Sequence, residues 1–481
     1  MRLSIAAAAL SFASGVLATG QVPVVNGVIG GVGNKTLKAD SKVVSFATKP
    51  GTLRTVENSG ICETTKGVYQ ASGYGDLTAQ ESIFFWYFDA RNNASNAPLA
   101  IWINGGPGSS SMIGLLQENG PCRIANNSRT VSNNPYSWNT NVNMLYIDQP
   151  VGTGFSHGTE TVGTSAEAAA DLWTFMQIFL KDSRFSHLVA NGFAIWTESY
   201  GGHYGPAFAS YILSQNAAIA KGTISGITIK LTTLGIGNGL TDGLSQYPGY
   251  ISYATSNPYG QMVSTSTIRQ ATTALTSCKS QITRCNAGGS DTVCSNAQSY
   301  CNNNILSALI GNHDVYYVPS GTNDPYPPDI TSYLNSVQTA VGAESTWQMT
   351  NDNVYFNFAN TGDWMRSQLP NLESVADSGV RVVLYNGDAD FIVNYQGVED
   401  MLAAMKTSFS TAFNNASFKT YTVNGKNAGL FKTTPTFSYV RVSGAGHEVP
   451  AYQNINSKLA VGEAAFQMFT QTMQNQALFS T

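Results

Sequence analysis

The chain has 481 residues and a formal net charge of −4, and only 11% of its residues are Asp, Glu, Lys or Arg, against about 25% in an average soluble protein. Hydrophobic residues at 42% suffice for a large core and exclude wholesale disorder. The slightly acidic balance, without any long basic run, argues against nucleic acid as the main partner.

Arg2 is followed by an apolar, Ala-rich stretch from Leu3 to Ala18, with small residues at Val16 and Ala18. This pattern reads as a signal peptide over residues 1–18. No later apolar run is long enough to span a membrane, and Asn475–Thr481 is too short and polar for a GPI signal. A soluble, secreted product is expected. Asn-x-Ser/Thr sequons at Asn34, Asn93, Asn126 and Asn415 are candidate glycosylation sites. The six cysteines are Cys62, Cys122, Cys278, Cys285, Cys294 and Cys301. Six cysteines allow fifteen pairings. Crowding in 278–301 suggests nested bridges, Cys278–Cys301 around Cys285–Cys294, with Cys62–Cys122 left over. No Cys-x-x-Cys occurs and no His lies among them, so a metal site is not expected.

From residue 82 onward, strand-like runs alternate with helical patterns. The expected strands are Ser82–Asp89, Leu99–Asn104, Met144–Asp148, Phe193–Thr197, Ile227–Ile236, Val380–Tyr385 and Phe437–Val442. Helical periodicity covers 165–181, 203–215 and 454–474. Short buried runs alternating with helices predict an α/β fold with a mostly parallel sheet covered on both faces. No linker or repeat divides residues 19–481, which read as one domain. Residues 240–375 break the alternation. They hold the Cys cluster and Asp324-Pro325-Tyr326-Pro327-Pro328, and read as a cap insertion over the C-terminal edge of the strands.

The segment Ile195-Trp196-Thr197-Glu198-Ser199-Tyr200-Gly201-Gly202-His203 follows a strand and opens a helix. A Ser on such a turn has an exposed Oγ, and the next N–H can face an oxyanion. The match to Gly-x-Ser-x-Gly is partial, because Thr197 holds the first position. A nucleophilic Ser needs a base and an orienting carboxylate, which in the α/β-hydrolase order follow as acid and then His. Of five His (His157, His187, His203, His313, His447), only His313 and His447 lie well beyond Ser199. His447, in a Gly-rich loop after a strand, is the candidate base. Asp388 and Asp390 both follow the Val380–Leu384 run, and chain order alone allows either. His203 beside the elbow also reads as a helix-surface residue.

Taken together, these motifs resemble the serine carboxypeptidases, the group that includes carboxypeptidase Y and cathepsin A. The matching strings are Trp102–Gly108 (WINGGPG), Glu118–Pro121 (ENGP), Asp148–Ser156 (DQPVGTGFS), Glu198–Gly202 (ESYGG), Gly387–Asp390 (GDAD) and Gly446-His447. Within the family the chain is most similar to secreted fungal carboxypeptidases of the S1 type. The resemblance implies an α/β-hydrolase fold and a serine-type carboxypeptidase that removes C-terminal residues from peptides and proteins. It implies Ser199 as nucleophile, His447 as base and Asp390 as orienting acid. Gly106 and Tyr200 would supply the oxyanion N–H groups. Asn104, Gly105, Glu118 and Glu198 would bind the substrate's terminal carboxylate.

Two carboxyls sharing a site cannot both ionise cheaply, so one keeps its proton and can donate to a substrate carboxylate. That predicts work at acidic pH. A free His would be mostly protonated at about pH 5, so the base poses a difficulty there. No cofactor or metal is expected; the expected partners are peptides with a free C-terminus, and no nucleic acid or membrane. An esterase or acyltransferase on the same fold is the alternative. Three departures from the family stand out. Ser109 and Val393 replace cysteines common in the family, and Glu448 follows the candidate base where Met is common.

Overall fold

The computed structural model describes residues 16–17, 20–33, 48–320, 327–454 and 457–481. The expected signal peptide falls outside these residues except for Val16–Leu17, which pairs with Val24–Val25. The Asn34 sequon and Asp324–Tyr326 also lie outside them. Asn93, Asn126 and Asn415 are exposed.

An eleven-stranded sheet organises the chain. Its strands are β1 Leu53–Glu57, β2 Gln70–Asp76, β3 Ser82–Phe88, β4 Leu99–Ile103, β5 Asn143–Ile147, β6 Phe193–Glu198, β7 Leu231–Gly237, β8 Arg381–Gly387, β9 Lys419–Val423, β10 Lys426–Thr433 and β11 Phe437–Val442. They lie in the order β9-β10-β11-β8-β7-β6-β4-β5-β3-β2-β1. The six strands from β5 to β11 across the middle are parallel. Antiparallel strands extend both sides, so the sheet is mixed and its parallel part is the centre.

The centre reads as continuous apolar runs because both of its faces are covered. In β4, Leu99, Ile101 and Ile103 join one core while Ala100 and Trp102 join the other. Helices α1 (Ser165–Lys181) and α2 (Gly201–Ala220) cover the first face with Leu172, Phe175, Phe179, Tyr204 and Phe208. The Glu463–Met473 helix covers the second with Met468 and Phe469. Four strands escape the sequence pattern: β1, β2, β9 and β10. β2 (QASGYGD) is wholly buried yet rich in residues that strands disfavour.

Between β7 and β8 the chain is mainly helical, including Gly243–Thr255, Thr265–Asn286, Asp291–Cys301 and Asp352–Thr361. Disulfides Cys278–Cys301 and Cys285–Cys294 tie the second of these helices to the third, and Cys62–Cys122 joins the chain before β2 to the strand after Glu118. The cross-links suit helices whose exposed faces are largely Ser, Thr, Asn and Gln and contribute little apolar burial.

An aromatic stack supports the sheet centre. Trp102 and Trp196 are register partners on β4 and β6. Trp138 packs edge-on to both, with ring centroids 5.3 and 4.9 Å away, and stacks on Phe469 at 4.0 Å. Gly235 on β7 makes room, since a Cβ there would lie 2.1 Å from the Trp196 ring. Trp138→Ala should therefore cost about 3–5 kcal/mol, read as a lower urea midpoint. A loss under about 1 kcal/mol would contradict this role for the stack.

Candidate active site

The parallel strands deliver the candidate residues to one edge. β4 ends before Asn104, β6 at Glu198 before Ser199, β7 before Asn238, β8 before Asp388, and β11 before the loop to His447. Ligand sites of open α/β sheets lie beyond the carboxyl ends of their strands.

Ser199 has φ 64°, a conformation uncommon for a side chain and typical of a strained elbow. Its N–H donates to the Gly237 carbonyl at 3.0 Å, and its own carbonyl accepts from Gly202 and Leu240. A Cβ on Gly202 would meet the Leu240 N at 2.5 Å; one on Gly105 would meet the Tyr200 N at 2.3 Å. Thr197 is tolerated at the first motif position because Gly201 faces it, and the Thr197 hydroxyl donates to the Gly201 carbonyl at 2.9 Å. Gly106 has φ 103°. Among the described residues, neither the Gly106 nor the Tyr200 N–H has an acceptor.

The two aspartates separate by contact. Asp390 Oδ2 lies 3.0 Å from His447 Nδ1, with both side chains buried. Asp390 also accepts from the Asn238 amide at 2.7 Å and from the N–H groups of Ile392 and Val393 at 3.1 and 3.2 Å. Asp388 instead braces the base loop, accepting from Gly444 N–H at 2.7 Å and the Tyr259 hydroxyl at 2.6 Å. His203, expected on a helix surface, is fully buried, stacked on Tyr200 with Nδ1 at 2.5 Å from the Leu240 carbonyl. His313 makes no hydrogen bond to the pair; its Nδ1 lies 3.2 Å from the Val318 carbonyl.

Asn238 was not legible as a site residue. A lone Asn after a strand resembles any turn former. Its Oδ1 accepts from Gly387 N–H at 3.2 Å, which fixes the amide so that its NH₂ points at Asp390.

Glu118 and Glu198 are both fully buried, and a single amide, that of Asn104, reaches both of them beside Ser199. Asn104 Oδ1 accepts from the Trp102 indole at 2.7 Å and Gly114 N–H at 3.0 Å. The Asn104 NH₂ is thereby turned to Glu118 Oε1 (3.4 Å) and Glu198 Oε1 (3.2 Å). Burial first, and then the Glu448 carboxylate, push the Glu118 carboxyl up to about 8. Burial and the neighbouring Glu118 raise Glu198 well above the carboxylate range, against a lowering by His447. Gln21 of the N-terminal segment donates to Glu198 at 2.9 Å and to Glu448 at 3.2 Å.

Raised carboxyls bind more protons folded than unfolded, so their contribution is full below the unfolded value near 4.5 and is lost as pH climbs through the folded one. The melting temperature should therefore fall between pH 4.5 and about 8, and Glu118→Gln should lessen that fall by removing one titrating group. Thermal melts across this window check it; an unchanged slope in the variant would contradict a protonated Glu118.

The serine carboxypeptidase family matches residues 61–475. The chain is 44% identical over 432 residues to carboxypeptidase S1 of Penicillium janthinellum, covering 89% of this chain and all of that one. It is 37% identical over 401 residues to carboxypeptidase Y of Komagataella phaffii, covering 81% and 74% of the two chains. Its fold is that of a prohormone-processing carboxypeptidase from Saccharomyces cerevisiae, with a TM-score of 0.69 at 24% identity over 86% of this chain and 94% of the other. With the family match spanning most of its length, the chain belongs to the serine carboxypeptidases.

Proposed function

We propose that this serine carboxypeptidase is exported and removes C-terminal residues one at a time under acidic conditions, with Ser199, His447 and Asp390 as its triad. The observation that carries the exopeptidase reading is adjacency. The buried Glu198–Glu118 pair begins one residue before Ser199, so a chain end held there presents its last peptide bond to the hydroxyl.

Asp390 accepts the Nδ1 proton of His447, which leaves Nε2 as the basic nitrogen. His447 takes the Ser199 proton as Oγ attacks the carbonyl carbon. The developing oxyanion falls to the Gly106 and Tyr200 N–H groups; a strong donor of this kind is worth about 3–4 kcal/mol. His447 then protonates the departing amine. Water, deprotonated by the same imidazole, attacks the acyl carbon and releases Ser199. The Glu pair acts in binding: while it holds a proton, it donates to the substrate carboxylate together with the Asn104 amide, and Gly105 lets the chain end approach. Once both Glu ionise, they repel it. Three features support export: the leader-like 1–18, exposed sequons and an all-disulfide cysteine set among the described residues.

A blocked dipeptide with a free C-terminus and its amidated twin test the assignment. The acid should be turned over with kcat/KM about 10- to 100-fold higher, the value of a buried, charged hydrogen bond. The KM for the acid should rise with pH as the pair loses its proton, and Glu118→Gln should flatten that rise. Equal turnover of acid and amide would favour the esterase reading. Ser199→Ala should lower kcat by roughly 10⁶-fold.

Asn238 would act on the base through Asp390. Asn238→Ala should lower kcat about 10-fold, consistent with losing one charge-assisted hydrogen bond, with KM little changed. Loss in KM alone would contradict this positioning role.

A further inference from the structure

The loops that carry Asp390 and His447 leave the sheet after β8 and β11, and those strands are not all that holds them. A third segment, residues 314–318 from the region between β7 and β8, touches both. The Val315 carbonyl accepts from Phe391 N–H at 3.1 Å and from Ile392 N–H at 3.0 Å, and Val318 N–H donates to the Ala389 carbonyl at 2.9 Å. Asp390 is thus gripped on both of its flanks along the chain. The same segment reaches the base. His447 N–H donates to the Tyr316 carbonyl at 2.9 Å, and the Tyr316 ring lies against the imidazole with centroids 5.2 Å apart.

Two details tie this contact to the chemistry. The Ile392 N–H that meets Val315 also donates to Asp390 Oδ1 at 3.1 Å, so the place of Val315 bears directly on the carboxylate that faces the imidazole. Gly446, just before the base, leaves room for the segment, because a Cβ there would lie 2.4 Å from the Tyr316 carbonyl oxygen.

No strand fixes the shape of residues 314–317; side chains do. Asp314 Oδ1 accepts from Tyr316 N–H at 2.7 Å and from Tyr317 N–H at 3.3 Å, the turn that an Asp side chain makes with the backbone two residues on. His313 closes the same loop through Nδ1, 3.2 Å from the Val318 carbonyl. With the turn closed, the Val315 and Tyr316 carbonyls are presented to two different loops.

We propose that Asp314 is a positioning residue for the reaction: by closing the 314–318 turn it sets the spacing between the Asp390 loop and His447, and with it the aim of the imidazole at Ser199. This rests on the reading of Asp390 and His447 as acid and base. A misplacement of about 1 Å, even when caused far from the chemistry, can cost about 100-fold in rate. Asp314 also borders the cleft beside Glu448, so direct contact with substrate is the alternative, and the two differ in which kinetic constant they move.

Three variants of the full chain, assayed on the blocked dipeptide with a free C-terminus, make the test. Asp314→Asn keeps an oxygen for the two N–H groups and discards the charge. Asp314→Glu keeps the charge on a side chain too long for the turn, and Asp314→Ala keeps neither. Asp314→Asn should hold kcat near the wild-type value. Asp314→Glu and Asp314→Ala should lower kcat about 10- to 100-fold with KM little changed. If Asp314→Ala does not fold, the Asn and Glu variants carry the comparison. Wild-type kcat in all three would overturn the positioning role. So would activity kept by Glu and lost by Asn, which places the effect in the charge, or a rise in KM alone, which places Asp314 on the substrate. His447→Ala, run beside them, tests the reading underneath. Wild-type kcat in that variant would remove the base itself, whereas an inactive His447→Ala beside an unaffected Asp314→Glu would overturn the brace alone.

Discussion

Burial of two like-charged carboxyls beside the elbow is the constraint around which the site is built. Glu118 and Glu198 are fully buried, so the pair must keep a proton and be met by aligned donors. The alignment descends through the fold. Asn104 can present its NH₂ only because Trp102 and Gly114 hold its oxygen, and Trp102 is fixed against Trp138. Glu118 ends a buried π-helical turn, Gly114–Glu118, an irregularity often found at functional sites. Its carbonyl is clasped by Arg123 Nε and Nη2 at 3.1 and 2.9 Å, and the same guanidinium binds the carbonyls of Pro450 and Val461. The loop bearing Glu118 and the segment after His447 are therefore locked to each other by one cation.

What the sequence made legible follows from how local each signal is. The central strands were readable because burial on both faces makes them apolar without interruption. Of the antiparallel flanks only the aromatic β3 was readable; β1, β2, β9 and β10 were not, and β2 is held by its neighbours on either side despite its Gly, Ser and Asp content. Ser199 and His447 stand in motifs whose backbone demands are written in adjacent glycines. Asp388 and Asp390 look alike in sequence, and only contacts separate the loop brace from the imidazole's partner. Asn238 was hidden for the same reason: its role exists only where β7 and β8 bring their ends together. The segment 314–318 was invisible because its significance is its landing place, against the loops that follow β8 and β11.

The departures from the family pattern acquire physical content in the structure. Ser109 reaches the helical region between β7 and β8 by a hydrogen bond to Thr350 at 2.9 Å, and its hydroxyl also meets the Gln21 carbonyl. A thiol tied in a disulfide could do neither. Val393 contributes a backbone N–H to Asp390 while its side chain is buried, so no thiol stands near the candidate triad. Glu448 adds a third carboxyl to the Glu118–Glu198 pair, and its charge is the second cause of the high Glu118 value. A Met at that position would leave the pair easier to ionise, so the residue after the base tunes how firmly the pair keeps its proton.

The scarcity of charge in the chain has a counterpart in how charge is spent inside it. Asp148 is fully buried and accepts from Ser110 Oγ at 2.6 Å, and from the N–H groups of Ser111 and Phe155 at 2.9 Å. Those bonds pin the chain just after Gly105–Gly108, and so fix where the Gly106 N–H points. Asp363 plays the matching part on the other side, accepting from the Tyr200 hydroxyl and Ser165 Oγ, both at 2.6 Å. Each oxyanion candidate is thus steadied by one buried carboxylate that itself lies off the reaction path. Burying a carboxylate is costly unless its lone pairs are met, and here they are met by the groups whose positions matter most. A surface of Ser, Thr and Asn leaves the few interior charges as the main electrostatic features near the cleft, and they act there at low dielectric, where each is felt most strongly.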